Sequence, residues 1–326
     1  MFEWFIEPLK KSIAENGFNF PIQIIVVDGF LYECPDKTAR REYFSQKVGN
    51  LELTHVSPKP TRWQGEFKLT QENYFAAANT RNSGACYAKH GFIAFVDDLG
   101  IIKSTWLPAV VNAMRRNEIH CGAYTKVKNI VYDLSSCSYN GGDENGGRDH
   151  RLSVYNQDIS PCPGGHVYGS SFCLPKNVYF ELNGQNEMYD GCSGGEDYDF
   201  GIRLQKTGHK IFYNKQMFIN ESDYTFGSDS SRRCIRADPE TSNHNFVNAL
   251  REYRLTDTAP ARRDLSHFML SYCYSGPNKV NPEFSLANYN MLILQGNTDP
   301  FLKPVAGQIH FFTKKPISSS DCLDNF

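Results

Sequence analysis

Hydrophobic positions along this chain change period repeatedly, and each change marks a separate element. In residues 2–14, Phe2, Phe5, Ile6, Leu9 and Ile13 recur at helical spacing and Gly17 follows as a stop, which predicts an amphipathic helix. Residues 21–29 then form a nearly continuous apolar run through Ile24, Ile25, Val26 and Val27 that ends at Asp28-Gly29, the pattern of a buried strand. A helix followed by such a strand predicts crossover connections and a parallel sheet. Residues 42–48 are weakly amphipathic, residues 51–56 read as a short strand, and residues 71–89 have helical character that groups Asn79, Arg81 and Asn82. Phe92-Ile93-Ala94-Phe95-Val96 is apolar at every position and hands Asp97-Asp98 to the carboxyl edge of a sheet, where open α/β folds bind ligands. Beyond it, residues 107–114 predict a helix with Pro108 in its first turn, and residues 122–133 a strand pair or one long twisted strand. Residues 167–174 read as a strand, 178–182 as a short helix, and 196–207 as a longer helix closed by Gly208. A strand at 210–213 opens a less regular tail. Between residues 135 and 163 the composition turns to Gly, Asn, Asp, Ser and Pro, which predicts a loop. No internal repeat is evident.

The chain's 326 residues can bury a large core, as one elaborated domain or as a domain of residues 1–225 with residues 226–326 packed on it as an extension. A net charge of -2, without any long lysine or arginine block, gives little support to a nucleic-acid or membrane-surface partner. The longest apolar runs have strand length and fall short of a bilayer span, and no targeting segment is visible. Any self-association is expected to be weak. Ten cysteines form no CxxC pair, which favours mostly reduced thiols and a cytoplasmic chain. A partly disulfide-linked luminal or secreted protein is the competing reading, to which the Asn220-Glu221-Ser222 sequon adds a hint.

Candidate chemistry concentrates in two acidic places. In Gly194-Gly195-Glu196-Asp197-Tyr198-Asp199, paired carboxylates open a helix, where unpaired N–H groups and the helix field favour anions while the glycines leave room for a substrate. That is a position for a general base, although the same residues can simply cap and charge a first turn. At the end of the apolar strand, Asp98 is the leading ligand for a divalent cation, with Asp97 sharing it or orienting the ligand, and a diphosphate could complete the shell. The plain alternative is a solvated strand-to-turn junction. Asp28 occupies an analogous strand end and could accept hydrogen bonds from a base or ribose, or be an ordinary loop aspartate before Gly29.

Taken in order, Ile24-Ile25-Val26-Val27-Asp28-Gly29, Ala78-Asn79-Thr80-Arg81-Asn82-Ser83-Gly84, Phe92 to Asp98 and Gly194 to Asp199 resemble the GT-A nucleotide-sugar-dependent glycosyltransferases, especially the inverting family 2. The last segment is also similar to the Gly-Gly-Glu-Asp segment of the β-1,4-galactosyltransferases. The resemblance spans roughly residues 2–220 and implies a Rossmann-like mixed α/β sheet flanked by helices, with an irregular C-terminal extension. It further implies that Asp28 contacts the uracil or ribose of a UDP-sugar donor, that Arg81 lies near the nucleotide, and that Asp97-Asp98 stands for an Asp-any-Asp motif binding Mn2+ or Mg2+. Asp197 would take the proton of an acceptor hydroxyl on a glycan or other molecule, with Glu196 binding that acceptor. No separate nucleophile is recognisable, which points to inversion. Trp63 could flank the donor or a sugar ring, Tyr189 and Tyr198 could pack under the acceptor, and Asn186-Glu187 could line its entrance, core packing being the default for each aromatic. Two departures stand out. Family members begin with a strand before the first helix, so that strand is absent here or replaced by another segment; and Leu99 occupies the place of the second aspartate. His244 is the best later metal ligand, ahead of His267, whose neighbours Leu265, Phe268 and Met269 suggest packing. A binding-only protein with a degenerate fold and a metal-dependent nucleotidyltransferase are the alternatives. Neither the donor sugar nor the acceptor can be read from the residues.

Overall fold

The computed structural model describes residues 2–59, 61, 63–65, 73–127, 131–133, 138–140, 147–191 and 195–222. The helix expected first is α1 (Phe2–Asn16), followed by β1 (Gln23–Val27). Next come α2 (Lys37–Val48) and β2 (Glu52–Val56), which lies parallel to β1 with Val27 opposite Val56. Helix α2 is longer than its weak amphipathicity predicts because Asp36 caps it, accepting from the Ala39 amide at 2.8 Å. Helix α3 (Ala77–Tyr87), β3 (Phe92–Val96), β4 (Gly100–Ile102) and α4 (Trp106–Arg116) come next. Strand β5 (Ile119–Val127) is continuous, and a separate hairpin of β6 (Val131–Asp133) and β7 (Ser138–Asn140) follows it.

The region whose composition predicted a loop therefore holds β7, and beyond it α5 (Arg151–Val154) and β8 (Ile159–Cys162). Strand β8 forms because β10 (Ile211–Ser222) offers it an edge, a partner 49 to 55 residues away that local composition cannot reveal. Strand β9 (Ser171–Pro175), α6 (Lys176–Glu181) and α7 (Glu196–Lys206) complete the set. The main sheet is mixed and six-stranded, ordered β3-β9-β5-β10-β4, with β8 also on β10. Strand β10 runs parallel to β5 along one edge, with a register shift between Asn214 and Ile219; its other edge pairs first with β8 and then with β4. Among the described residues β1 pairs only with β2, and β3 only with β9.

Apolar side chains leave this layer on both faces, so β9 is buried at every position: Phe172 and Leu174 join one core and Cys173 the other. The first core lies under α3, α6 and α7 through Ala85, Val178, Tyr179, Phe200 and Leu204. The second lies under α1 and α4 through Ile6, Leu9, Trp106, Leu107 and Val110. Burying one such leucine or isoleucine stabilises the fold by roughly 1.5–3 kcal/mol. The result is the α/β, Rossmann-like arrangement of a mixed sheet flanked by helices that the family resemblance implies; the parallel sheet expected from the alternation of elements is interrupted by β4, β8 and β9, which run antiparallel to their neighbours. No helix among the described residues is long and apolar enough to cross a membrane. Residues 226–326, assigned above to an extension, lie outside the described residues. The five described cysteines, Cys34, Cys86, Cys121, Cys162 and Cys173, are free thiols. Asn220 of the sequon sits inside β10 at 3% exposure, which closes it to modification in the folded chain.

Candidate active site

Strand β3 ends in a tight turn at the sheet's carboxyl edge, where the Gly100 amide donates to the Asp97 carbonyl at 3.0 Å and the Asp97 amide to Ser170 at 3.2 Å. Asp97 is thereby fixed against the loop that leads into β9. Asp98 is exposed on the turn, yet the protein around it and the neighbouring Asp97 raise its carboxyl above the ordinary range. From the opposite side α7 begins at Glu196. Its N-cap, Gly195, has φ 102° and offers no side-chain cap, and its first turn carries Glu196, Asp197 and Asp199.

Arg81, projecting from α3, joins these two places. Its guanidinium donates to Asp97 Oδ1 and to Glu196 Oε1, both at 2.7 Å, although the partners lie 16 and 115 residues away. Weaker contacts at 3.3 Å run to Gln185 Oε1 and the Gly169 carbonyl. Burial works against the arginine's charge, but Asp97, Glu196 and Asp197 more than offset it and hold its pKa above the ordinary value. Glu196 is buried at 5% exposure; desolvation and the Asp197 charge push its carboxyl up to about 7 despite the Arg81 contact. Asp197 accepts from the Gly169 amide at 2.6 Å and from its own neighbour's amide, Tyr198, at 2.7 Å. Two backbone donors thus orient it and leave about half of a carboxylate's four lone-pair positions for a further partner. Asp199 turns away and pairs with Arg203 at 2.8 Å.

The remaining candidate residues divide. Tyr198 stands at the mouth of the acidic turn, 46% exposed, whereas Tyr189 is buried and Glu187 is paired with Lys59 inside the protein. Asn186 is also buried. Trp63 is 1% exposed, and its ring closes on the backbone at Gly191, so it presents no face to solvent. Asp28 is buried at the end of β1, and its oxygens are already engaged: Arg40 donates to both, at 2.8 Å to Oδ1 and 2.5 Å to Oδ2, Phe30 donates its amide at 3.1 Å, and His55 lies at 2.9 Å. Burial raises its pKa, but hydrogen bonds from Arg40 and His55 prevail and hold it below the usual value. His244, His267 and Gly194 lie outside the described residues.

Carboxylates surround Arg81 on both sides, and hard oxygen donors on the Asp97-Asp98 turn suit Mn2+ or Mg2+. Among the described residues no group of three or more His, Cys, Asp or Glu side chains is arranged to hold a metal ion. What the turn offers is the carboxylates of Asp97 and Asp98, of which Asp97 Oδ1 already accepts from Arg81; Mg2+ is commonly held by one or two carboxylates with substrate phosphates and water completing the shell.

Several residues that build the site carry no motif. Gly169 lies between Arg81 and Asp197, and a Cβ there would sit 2.3 Å from Arg81 Nη2. Behind it, buried Arg151 pairs with Asp149 at 2.8 Å and stacks its guanidinium 4.0 Å from the Tyr168 ring. Gln185 and Asp190 reach α3 from a loop. Only Gly169 has a local signal, a glycine just before an apolar strand, and that signal does not say what approaches it.

No family model matches the sequence, and no curated protein does either. Among solved structures, this chain is similar to GalNAc-T7 with UDP, GalNAc and Mn2+ at 13% identity and a TM-score of 0.48, covering 93% of this chain and 54% of that one. It therefore spans about half the length of that protein. A second similar structure is S. aureus TarS 1-349 in complex with UDP, at 14% identity and a TM-score of 0.48, covering 95% of this chain and 80% of that one.

Proposed function

We propose that this chain is a metal-dependent, inverting glycosyltransferase of the GT-A type that moves a sugar from a nucleotide-diphosphate donor, a UDP-sugar in the favoured case, to an acceptor hydroxyl. One observation carries the reading: Arg81 draws the acidic end of β3 and the acidic start of α7 into one site, with Asp197 beside it. Those are the segments whose order along the chain resembles the family. Asp97 and Asp98 would hold the Mn2+ or Mg2+ ion, with Arg81 adding a fixed positive charge beside the diphosphate. The cation, when bound, would neutralise charge on the departing diphosphate.

Asp197 supplies the base. The acceptor hydroxyl loses its proton to the Asp197 carboxylate while its oxygen forms a bond to the anomeric carbon. The bond from that carbon to the diphosphate oxygen breaks, and its electron pair leaves with the diphosphate. Attack in line with the leaving group inverts the anomeric centre. Glu196, locked to Arg81, holds the base side in register with the donor side and contributes hydrogen bonds to the acceptor. A panel of nucleotide sugars, incubated with and without Mn2+ and read by mass spectrometry of the released nucleotide, tests the reading. Manganese-dependent release from one donor supports it; a folded chain that binds a nucleotide sugar without turnover would make it a binding protein, and pyrophosphate release would make it a nucleotidyltransferase.

A further inference from the structure

Residues 182–191 tie the two halves of the site together. On one side Arg203 of α7 donates to the carbonyls of Leu182 and Gly184 at 2.8 and 2.9 Å. On the other side the Asn82 side chain of α3 pairs with Gln185 much as a strand would, accepting from its amide at 2.8 Å and donating to its carbonyl at 2.9 Å. Glu187 accepts a further bond from Asn82 at 2.7 Å, and the Gly191 amide donates to Phe75 at 2.5 Å. The deepest contact is made by Asp190. One of its oxygens accepts from the Ala78 amide at 3.0 Å and the other from the Asn79 amide at 3.1 Å, across 112 and 111 residues of chain.

These are two of the amides that every helix start leaves without an internal partner. Helix α3 has no cap of its own, since Ala76 stands at its N-cap without a side-chain acceptor. Asp190, only 3% exposed, does that work from a distant loop, and Arg81 follows directly on the turn so anchored. We propose that Asp190 is a positioning residue for this site: by capping α3 from across the fold it sets the first turn, which leads directly into Arg81, and so places the guanidinium between Asp97 and Glu196. Burial, with Glu187 beside it, pushes the Asp190 carboxyl well above the ordinary range, against which the two amide donors, one on each oxygen, favour the ionised form. An asparagine retains only one of those two acceptors.

The inference rests on the proposed glycosyl-transfer reading only where it concerns the nucleotide; the placement of Arg81 is tested without it. Asp190→Ala should speed hydrogen exchange of the amides at residues 78–81 about fivefold, the loss of a cap worth about 1 kcal/mol, and shift the Arg81 Nε–H resonance. Asp190→Asn keeps one acceptor oxygen and loses the other, so it should show a smaller change in the same direction, and it serves as the folded comparison if the alanine variant does not fold. By calorimetry, UDP with Mn2+ should bind Asp190→Ala about fivefold more weakly, again the equivalent of one lost cap, yet Asp190→Ala should cost nothing more in an Arg81→Gln background. Equal losses in both backgrounds, or unchanged exchange and an unchanged Arg81 signal in either folded Asp190 variant, would overturn the assignment. If UDP binds neither the wild type nor any variant, the functional reading fails while exchange and the arginine resonance still decide the positioning role.

Discussion

Asp197 receives amide hydrogen bonds from Gly169 and Tyr198, so its carboxylate is oriented by the backbone instead of by a partner cation. Asp197→Asn keeps the size and an acceptor oxygen but cannot take a proton near neutral pH. Transfer should fall about a hundredfold or more, a common worth of a general base, while calorimetric binding of donor and Mn2+ stays close to wild type. Asp98→Ala should do the reverse, weakening Mn2+-dependent nucleotide binding in a chain whose melting temperature barely moves; unchanged affinity would remove Asp98 from the metal role. Glu196 adds a pH signature. Its folded pKa, about 7, lies above the 4.5 of an ordinary glutamate, so folding favours the protonated form. The stability this provides is fully present below about pH 4.5 and is lost as pH rises through about 7. Compared with Glu196→Gln in denaturant titrations from pH 4 to 8, wild type should lose relative stability across that window and run parallel above it. A constant difference would show that Glu196 does not titrate there.

Helix α7 opens on a residue that sequence reading valued for space but that geometry constrains more tightly. Gly195 has φ 102°, a conformation that costs other residues of order 1–3 kcal/mol, and a Cβ there would lie 2.7 Å from the Tyr189 ring. Gly195→Ala should therefore lower unfolding free energy by about 1–3 kcal/mol in urea titration and disturb the turn that presents Glu196 and Asp197. An alanine variant as stable as wild type would mean that the turn can relax without cost. Helix α7 itself was legible because paired acids open it and Gly208 closes it, and β3 because five consecutive apolar residues end in acid. The segment of residues 135–163 was not, since polar composition hides the pairing of β8 with β10. Strand β10 likewise runs to Ser222 through the buried Asn214 and Asn220, which read locally as irregular tail.

At the scale of the whole molecule, buried charges brace the site from behind. Arg151 is fully enclosed between Asp149, the Gly122 carbonyl and the rings of Tyr168 and Tyr213. Asp149→Ala would strand that guanidinium in the interior and should cost about 3–5 kcal/mol, as breaking one side of a buried pair does. Thermal and denaturant unfolding would register the loss, and a shift below 1 kcal/mol would show that the carbonyls and rings alone sustain the arginine. By itself the sequence determined the alternation of helices and strands, the apolar strand that stops at Asp97 and Asp98, and the acidic start of α7, because periodicity and helix-end chemistry act between residues near in the chain. Only the tertiary structure decided that Arg81 links those acids, that Asp28 is spent on Arg40 and His55, that Trp63 faces the interior, and that Asp190 caps a helix more than a hundred residues away. Each of these depends on how buried polar groups find partners once the sheet has closed, and that matching is set by distance in space, which no local pattern encodes.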